Sequence, residues 1–269
     1  MPAAELPRLH AQINELIARF DDPVRLRNGL RDLLDLYSNR AYRPGQAVRP
    51  QPLLPSYRVP PLIMRQLELE FSKACQEQPE QALLVVDQLW HDPYLEPHLL
   101  AAYLIGTIPA SQESGIMSLL RSWAQPTENF RILETLFQLG TVTLRRTRPE
   151  PLLALFEEWL TGAKTDQRAL GIRALIPLIQ DSQFENIPPI FRMLSPLIQT
   201  APSNLHVDLQ SAIEALAKRT PTETVFFLRQ TLSLAASPNT ARLIRRCLPS
   251  FDAAQQASLR KALSASSSL

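Results

Sequence analysis

The chain has 269 residues, of which 45% are hydrophobic and 20% charged, and its formal net charge is +2. That balance excludes a disordered polyelectrolyte and allows one extended domain or two compact ones with a sizeable core. No apolar run reaches the roughly 20 residues needed to cross a bilayer, and the opening residues lack the basic-then-apolar layout of a secretory signal, so a cytoplasmic protein without a membrane partner is expected.

Twenty-four prolines stand against seven glycines. Many prolines open apolar segments of helical spacing, as in Gln78-Pro79-Glu80, Gln125-Pro-Thr-Glu128, Arg148-Pro149-Glu150 and Thr220-Pro-Thr-Glu223. Proline is tolerated at the first helical position, where its missing N–H would have no partner, so the pattern predicts many short helices with sharp corners.

In chain order, Leu9, Ile13, Leu16, Ile17 and Phe20 form the apolar stripe of a first amphipathic helix. Asp21-Asp22-Pro23 ends it and caps a second, which runs to about Tyr37. Residues 1–38 are therefore read as an N-terminal helical pair. Residues 39–59, with prolines at 44, 50, 52 and 55, read as an extended, polyproline-like linker or arm, either a tether or a segment lying along a face of the solenoid. From Pro60, helix starts are predicted near 61, 79, 93, 110, 126, 149, 164, 187, 204, 221, 238 and 251. Taken in pairs, the units recur about every 32–40 residues, the period of HEAT-type or armadillo-type repeats. The expected fold is all-α: an α-solenoid of two-helix repeats over residues 60–263, wound as a right-handed superhelix with a concave face. Thr220 to Glu223 fits a capping box. Residues 264–269 are expected to fray.

Chemistry is sparse. No GxGxxG, phosphate-binding P-loop or GxSxG occurs. Cys75 and Cys247 are read as buried reduced thiols, and His91 and His98 as partly exposed side chains with no further ligand to complete a metal site. Neither a metal nor another cofactor is expected. Trp90, Trp123 and Trp159 are read as packing between repeats. Charge is uneven: residues 1–134 hold 13 Lys/Arg against 16 Asp/Glu, residues 135–269 hold 15 against 10. A basic C-terminal half suits a polyanionic partner.

The stretch Leu89-Trp-His-Asp-Pro-Tyr-Leu-Glu-Pro-His-Leu-Leu-Ala101 resembles the "Leu-Trp, polar turn, Glu-x-Arg-x-x-Ala" segment of the HEAT-like-repeat DNA alkylation repair glycosylases. Leu89, Trp90, Glu96 and Ala101 match, and His98 stands where that family has arginine. The family's Asn-Trp-x-x-x-Asp motif is similar to Asn129-Phe130-Arg-Ile-Leu-Glu134. The resemblance implies excision of cationic alkylated bases by concave-face aromatics and a carboxylate. On that reading Phe130 holds the cation by its ring face and Glu134 stabilises the developing positive charge. The alternative for the same spacing is a core phenylalanine and an exposed helix glutamate. The family's next arginine falls near Gly171 or Ile172, between Arg168 and Arg173, and its last tryptophan near Ala215.

Candidate DNA-binding cations are Arg145, Arg146, Arg148, Arg168, Arg173, Lys218, Arg219, Arg245 and Arg246. Several fall at predicted helix C-termini, where the helix dipole alone accounts for cations. Three functions remain open: a binding module for duplex DNA or another polyanion without efficient catalysis, an active alkylpurine glycosylase using Phe130 and Glu134, and a scaffold for a protein partner.

Overall fold

The computed structural model describes residues 5–38, 54–126, 128–234 and 237–266. Among these residues every regular element is helical, and the all-α expectation holds. The chain divides into two compact units, residues 1–148 and 149–269. Residues 39–53 of that stretch, Thr127 and residues 267–269 of the tail lie outside the described residues.

The first unit contains α1 (Glu5–Ile17), α2 (Pro23–Leu36), α3 (Pro61–Glu77), α4 (Pro79–Trp90), α5 (Leu95–Leu104), α6 (Glu113–Trp123), α7 (Phe130–Thr135) and α8 (Val142–Thr147). Helix α1 packs on α3, α3 on α5 and α5 on α7, while α2 packs on α4 and α4 on α6. Alternate helices thus stack, and α1 with α2, α3 with α4 and α4 with α5 also pack as neighbours in sequence, as stacked pairs require. Asp22 caps α2 as predicted, its Oδ1 accepting from the N–H of Arg25 at 3.0 Å. Prolines 23, 61 and 79 each stand at the first position of a helix. Trp90 stacks on Trp123 with centroids 4.4 Å apart and planes 2° from parallel. The Trp123 Nε1–H donates to Oδ1 of Asp87, so both large rings tie adjacent pairs together.

The second unit contains α9 (Pro149–Thr161), α10 (Thr165–Gln180), α11 (Pro188–Thr200), α12 (His206–Arg219), α13 (Pro221–Leu234), α14 (Pro238–Cys247) and α15 (Ala253–Ser266). One layer is α10, α12 and α14; the other is α9, α11, α13 and α15. Helix α15 continues to Ser266, three residues into the tail expected to fray. The capping box at Thr220 is not formed. The Thr220 hydroxyl is buried and makes no hydrogen bond among the described residues. Its carbonyl instead accepts from the N–H and Oγ1 of Thr224, at 3.0 and 2.7 Å.

Two departures from the predicted boundaries shape the first unit. Residues 54–59 are not a free tether. The Leu95 N–H donates to the Pro55 carbonyl at 2.9 Å, and the backbone then folds over Glu96 at the start of α5. There the Ser56 hydroxyl and the Arg58 N–H donate to Glu96 Oε1, at 2.6 and 2.8 Å, and the Tyr57 N–H donates to Oε2 at 3.1 Å. Arg58 adopts φ 54° to complete this wrap, and the Tyr57 ring stacks on Tyr94 at 4.2 Å. The second departure is α7. Pro126 does not open it: Asn129 is the cap, its Oδ1 accepting from the Arg131 N–H at 2.9 Å. After only six residues α7 widens into a π-helical turn, Leu136–Gly140, before α8 begins.

Backbone-to-backbone contact holds that turn. A Cβ on Gly106 would lie 1.9 Å from the Leu139 carbonyl oxygen, and one on Gly140 would lie 2.6 Å from that of Ala102. Neither obstacle is a side chain able to rotate away. Gly106→Ala is expected to destabilise the fold by about 1–3 kcal/mol through overpacking, read as a lower midpoint in denaturant unfolding.

Both cysteines are buried and free. Burial pushes each thiol up from 9.0 to about 12; a hydrogen bond from Thr107 partly opposes this at Cys75, and nearby Glu214 adds to it at Cys247. The fold therefore favours the protonated thiols. Their contribution is complete below the unfolded pKa of about 9 and is lost as pH rises towards about 12, because the unfolded chain ionises first. Unfolding free energy is expected to fall by about 1 kcal/mol per thiol between about pH 8 and 10. Double substitution of Cys75 and Cys247 by valine should flatten that slope in denaturant titrations.

Candidate functional site

All the candidate side chains belong to the first helices of the predicted pairs or to their C-terminal ends. Phe130 and Glu134 are on α7, Arg145 and Arg146 on α8, and Arg148 caps α8. Arg168 and Arg173 are on α10, Lys218 and Arg219 on α12, and Arg245 and Arg246 on α14. They therefore distribute over both units, each considered by itself.

In the first unit, Phe130 occupies the first position of α7 and its side chain is 63% exposed. This removes the core-phenylalanine reading. Glu134 lies one turn later and is also exposed. The four-residue spacing puts ring and carboxylate on the same face, while Ile132 and Leu133 bury the other side. No hydrogen bond among the described residues positions the Glu134 carboxylate. A carboxylate that must stabilise a cationic centre works only when its position is fixed to within a fraction of an ångström. As it stands, the pair offers a flat apolar surface beside one mobile negative charge.

The arginines next to it have other duties. Arg145, expected at a phosphate, is buried. Its Nη1 donates to the carbonyls of Gln138 and Phe137 in the π turn, at 2.7 and 3.3 Å. The Thr141 hydroxyl also donates to the Phe137 carbonyl, at 2.8 Å. Arg145 is thus tied to the π turn, its guanidinium bridging two of the turn's carbonyls. Arg148 pairs with Glu113 at 3.2 Å, and Arg146 is exposed.

His98, at the resembled family's arginine position, is buried rather than partly exposed. Its ring lies 5.3 Å from that of Trp90, and its Nδ1 is 3.0 Å from the Tyr94 carbonyl. His91 is exposed, with Nδ1 2.8 Å from the Asp87 carbonyl.

In the second unit, Arg173 does not present a free charge. Its Nε donates to Asp208 Oδ1 at 2.7 Å, and its Nη2 lies 3.4 Å from Oδ2, joining α10 to α12 by a fork. The Arg168 Nε donates to the Gly162 carbonyl at 2.7 Å. Arg219 Nη2 donates to the carbonyls of Ser182 and Phe184, at 3.1 and 3.2 Å. Gly171, Ile172 and Ala215, at the resembled positions of a further arginine and tryptophan, are buried. Lys218, Arg245 and Arg246 remain exposed at the C-terminal ends of α12 and α14.

The nine candidate cations therefore divide by what they touch. Arg145, Arg168 and Arg219 hold backbone carbonyls, and Arg148 and Arg173 hold carboxylates. The sequence held a signal for part of this. Asp208 follows Arg173 by 35 residues, close to the repeat period, so the two fall on successive first helices. Among the described residues no three metal-ligating side chains cluster, and no helix is long and apolar enough to cross a membrane. Arg145→Ala is expected to lower stability by about 1–3 kcal/mol, since it removes a buried guanidinium and its hydrogen bonds to two carbonyls of the π turn, and to leave the salt dependence of any polyanion binding unchanged. Thermal unfolding and binding titrations on the same variant check both halves.

Comparison with known proteins places this geometry. The sequence profile described as "DNA alkylation repair enzyme" matches residues 57–249. A solved structure, that of smu.31 from Streptococcus mutans UA159, is similar over 71% of this chain and 98% of its own, at 16% identity and a TM-score of 0.48. No curated protein matches the chain. The profile begins at Tyr57, where the backbone wraps Glu96, takes in α7 and ends after Arg245 and Arg246, thus covering well over half the sequence. The chain belongs to the DNA alkylation repair enzyme family.

Proposed function

We propose that the protein binds duplex DNA through exposed cations of its second unit and does not excise alkylated bases efficiently. The observation that carries this reading is Glu134. It stands at the family's carboxylate position one turn after an exposed aromatic ring, but solvent surrounds it and no described group holds it. Substitution of Phe for Trp weakens the hold on a cationic base, and Glu for Asp moves the carboxylate by about 1 Å, a displacement that can cost a hundredfold. Lys218, Arg245 and Arg246 supply mobile charges that can neutralise phosphates, and family membership supports DNA as their partner.

The second reading, an active alkylpurine glycosylase, is favoured by the 63% exposure of Phe130, since an exposed ring beside a carboxylate is what a cationic base would stack on. Two measurements separate the readings. Titration of a fluorescent duplex at several salt concentrations is expected to give a steep log–log slope, flattened by about 0.9 for each of Lys218→Gln, Arg245→Gln and Arg246→Gln. Salt-independent binding, or none at low salt, rejects the DNA reading. Release of N3- and N7-methylpurines from alkylated duplex is expected to be slow and little changed by Glu134→Ala. Rapid release abolished by Glu134→Ala would establish the glycosylase instead.

A further inference from the structure

Helix α13 carries a second exposed aromatic ring, far from the expected chemistry in sequence and on the other helix layer of its unit. Its inner face buries Thr224, Val225, Leu228, Thr231 and Leu232. Its outer face exposes Thr222, Glu223, Phe226, Arg229 and Gln230, with Phe226 68% exposed. Phe226 stands as a ridge between two grooves. One, of about 460 Å³, lies between α13 and α11 and is walled by Pro188, Phe191 and Phe227. The other, of about 560 Å³, lies between α13 and α15 and is floored by Ala262 and Ala265. A ring and an apolar groove on the same patch form a knob beside its own hole.

The charges around Phe226 are arranged in the same way. Three residues before it is Glu223 and three after it is Arg229; four before is Thr222 and four after is Gln230. All four are exposed and, by helical spacing, flank Phe226 on one face. Neither Glu223 nor Arg229 has an ion-pair partner among the described residues. In a two-fold contact with antiparallel helices centred on Phe226, each position before 226 meets the equally distant position after it. Glu223 then meets Arg229 of the second copy, and Thr222 meets its Gln230, each contact occurring twice. Self-complementarity about one axis is what an isologous interface requires.

We propose that this outer face of α13 is a self-association surface whose occupant is a second copy of this chain. The copies cross with their α13 helices antiparallel, and each Phe226 ring enters the apolar groove between α11 and α13 of the other. The surface lies in the layer of α9, α11, α13 and α15, whereas the cations proposed for DNA are on α12 and α14. Association and DNA binding therefore use different residues and are tested separately.

The test is sedimentation equilibrium of the full chain together with five variants, each checked by thermal melting. The wild type is expected to sediment at twice the chain mass and Phe226→Asp as a monomer. Glu223→Arg and Arg229→Glu, each placing like charges opposite one another twice, should weaken association by about a hundredfold. The double variant Glu223→Arg/Arg229→Glu should restore the dimer, because the swapped charges again face their complements. An equimolar mixture of the two single variants should form a heterodimer. Lys218→Gln should leave the mass unchanged whether or not DNA binds. A wild type monomeric at concentrations on the order of 100 μM overturns the proposal. So do single variants of unchanged affinity, or a double variant that stays monomeric.

Discussion

A short helix with one apolar stripe cannot bury that stripe alone, and two such helices can bury it only in part. The stripe must be answered by the next pair. In both units alternate helices stack on one another and several also pack on their successors, so the core is a continuous seam rather than a single centre. Leu67, Phe71, Leu89, Leu100 and Ile132 in the first unit, and Leu175, Ile190, Leu209 and Leu228 in the second, lie almost wholly out of solvent along these seams. Burying one such side chain contributes about 1.5–3 kcal/mol, so a seam of this length outweighs the poor capping of many of its helices. Thr220, whose buried hydroxyl finds no partner, shows that capping is secondary: α13 forms regardless, because its apolar face is covered.

This constraint explains what could be read in advance. Proline at the first helical position and apolar residues at three- and four-residue steps are both local signals, and they located α3, α4, α9, α13 and α14 to the residue. The predictions fail where a long-range contact decides. The predicted helix opening at Pro126 instead starts at Phe130 and widens at Leu136, because Gly106 and Gly140 bring two backbones together across the gap between α5 and the π turn. No local pattern marks that approach, since it depends on two glycines 34 residues apart. Residues 54–59 read as linker by composition, yet Glu96 collects their backbone donors. His98 was legible as a position but not in its burial, which Trp90 imposes.

The candidate site was legible in its positions and much less in its roles. Helical spacing placed Phe130 and Glu134 together on α7, and the repeat period placed the cations on first helices. What each cation does depends on atoms contributed from elsewhere. Arg145 is drawn to two carbonyls by a π turn that the sequence does not announce, and Arg173 to Asp208 across one repeat. Lys218, Arg245 and Arg246 stay exposed because they close their helices, where the chain turns away and neighbours are few. A run of arginines therefore says little about phosphate contacts until carbonyls and carboxylates within reach have been assigned.

The same sorting applies to the residues that carry the family resemblance. Glu96 is one of its matching positions, and every contact it makes is architectural. The carboxylate takes one hydroxyl and two backbone N–H groups in the first turn of α5, where the helix dipole also favours negative charge. Trp90 spends its ring on Trp123 and His98. The matching residues of this segment thus hold the fold that presents α7, while the chemistry implied by the resemblance would fall to Phe130 and Glu134, two of the positions at which the chain departs from the family's own residues. The proposed reading, DNA binding without efficient excision, rests on this contrast between a retained scaffold and an altered carboxylate. The architectural matches must persist for α7 to be presented at all, whereas Glu134, held by nothing, can vary without cost to the fold.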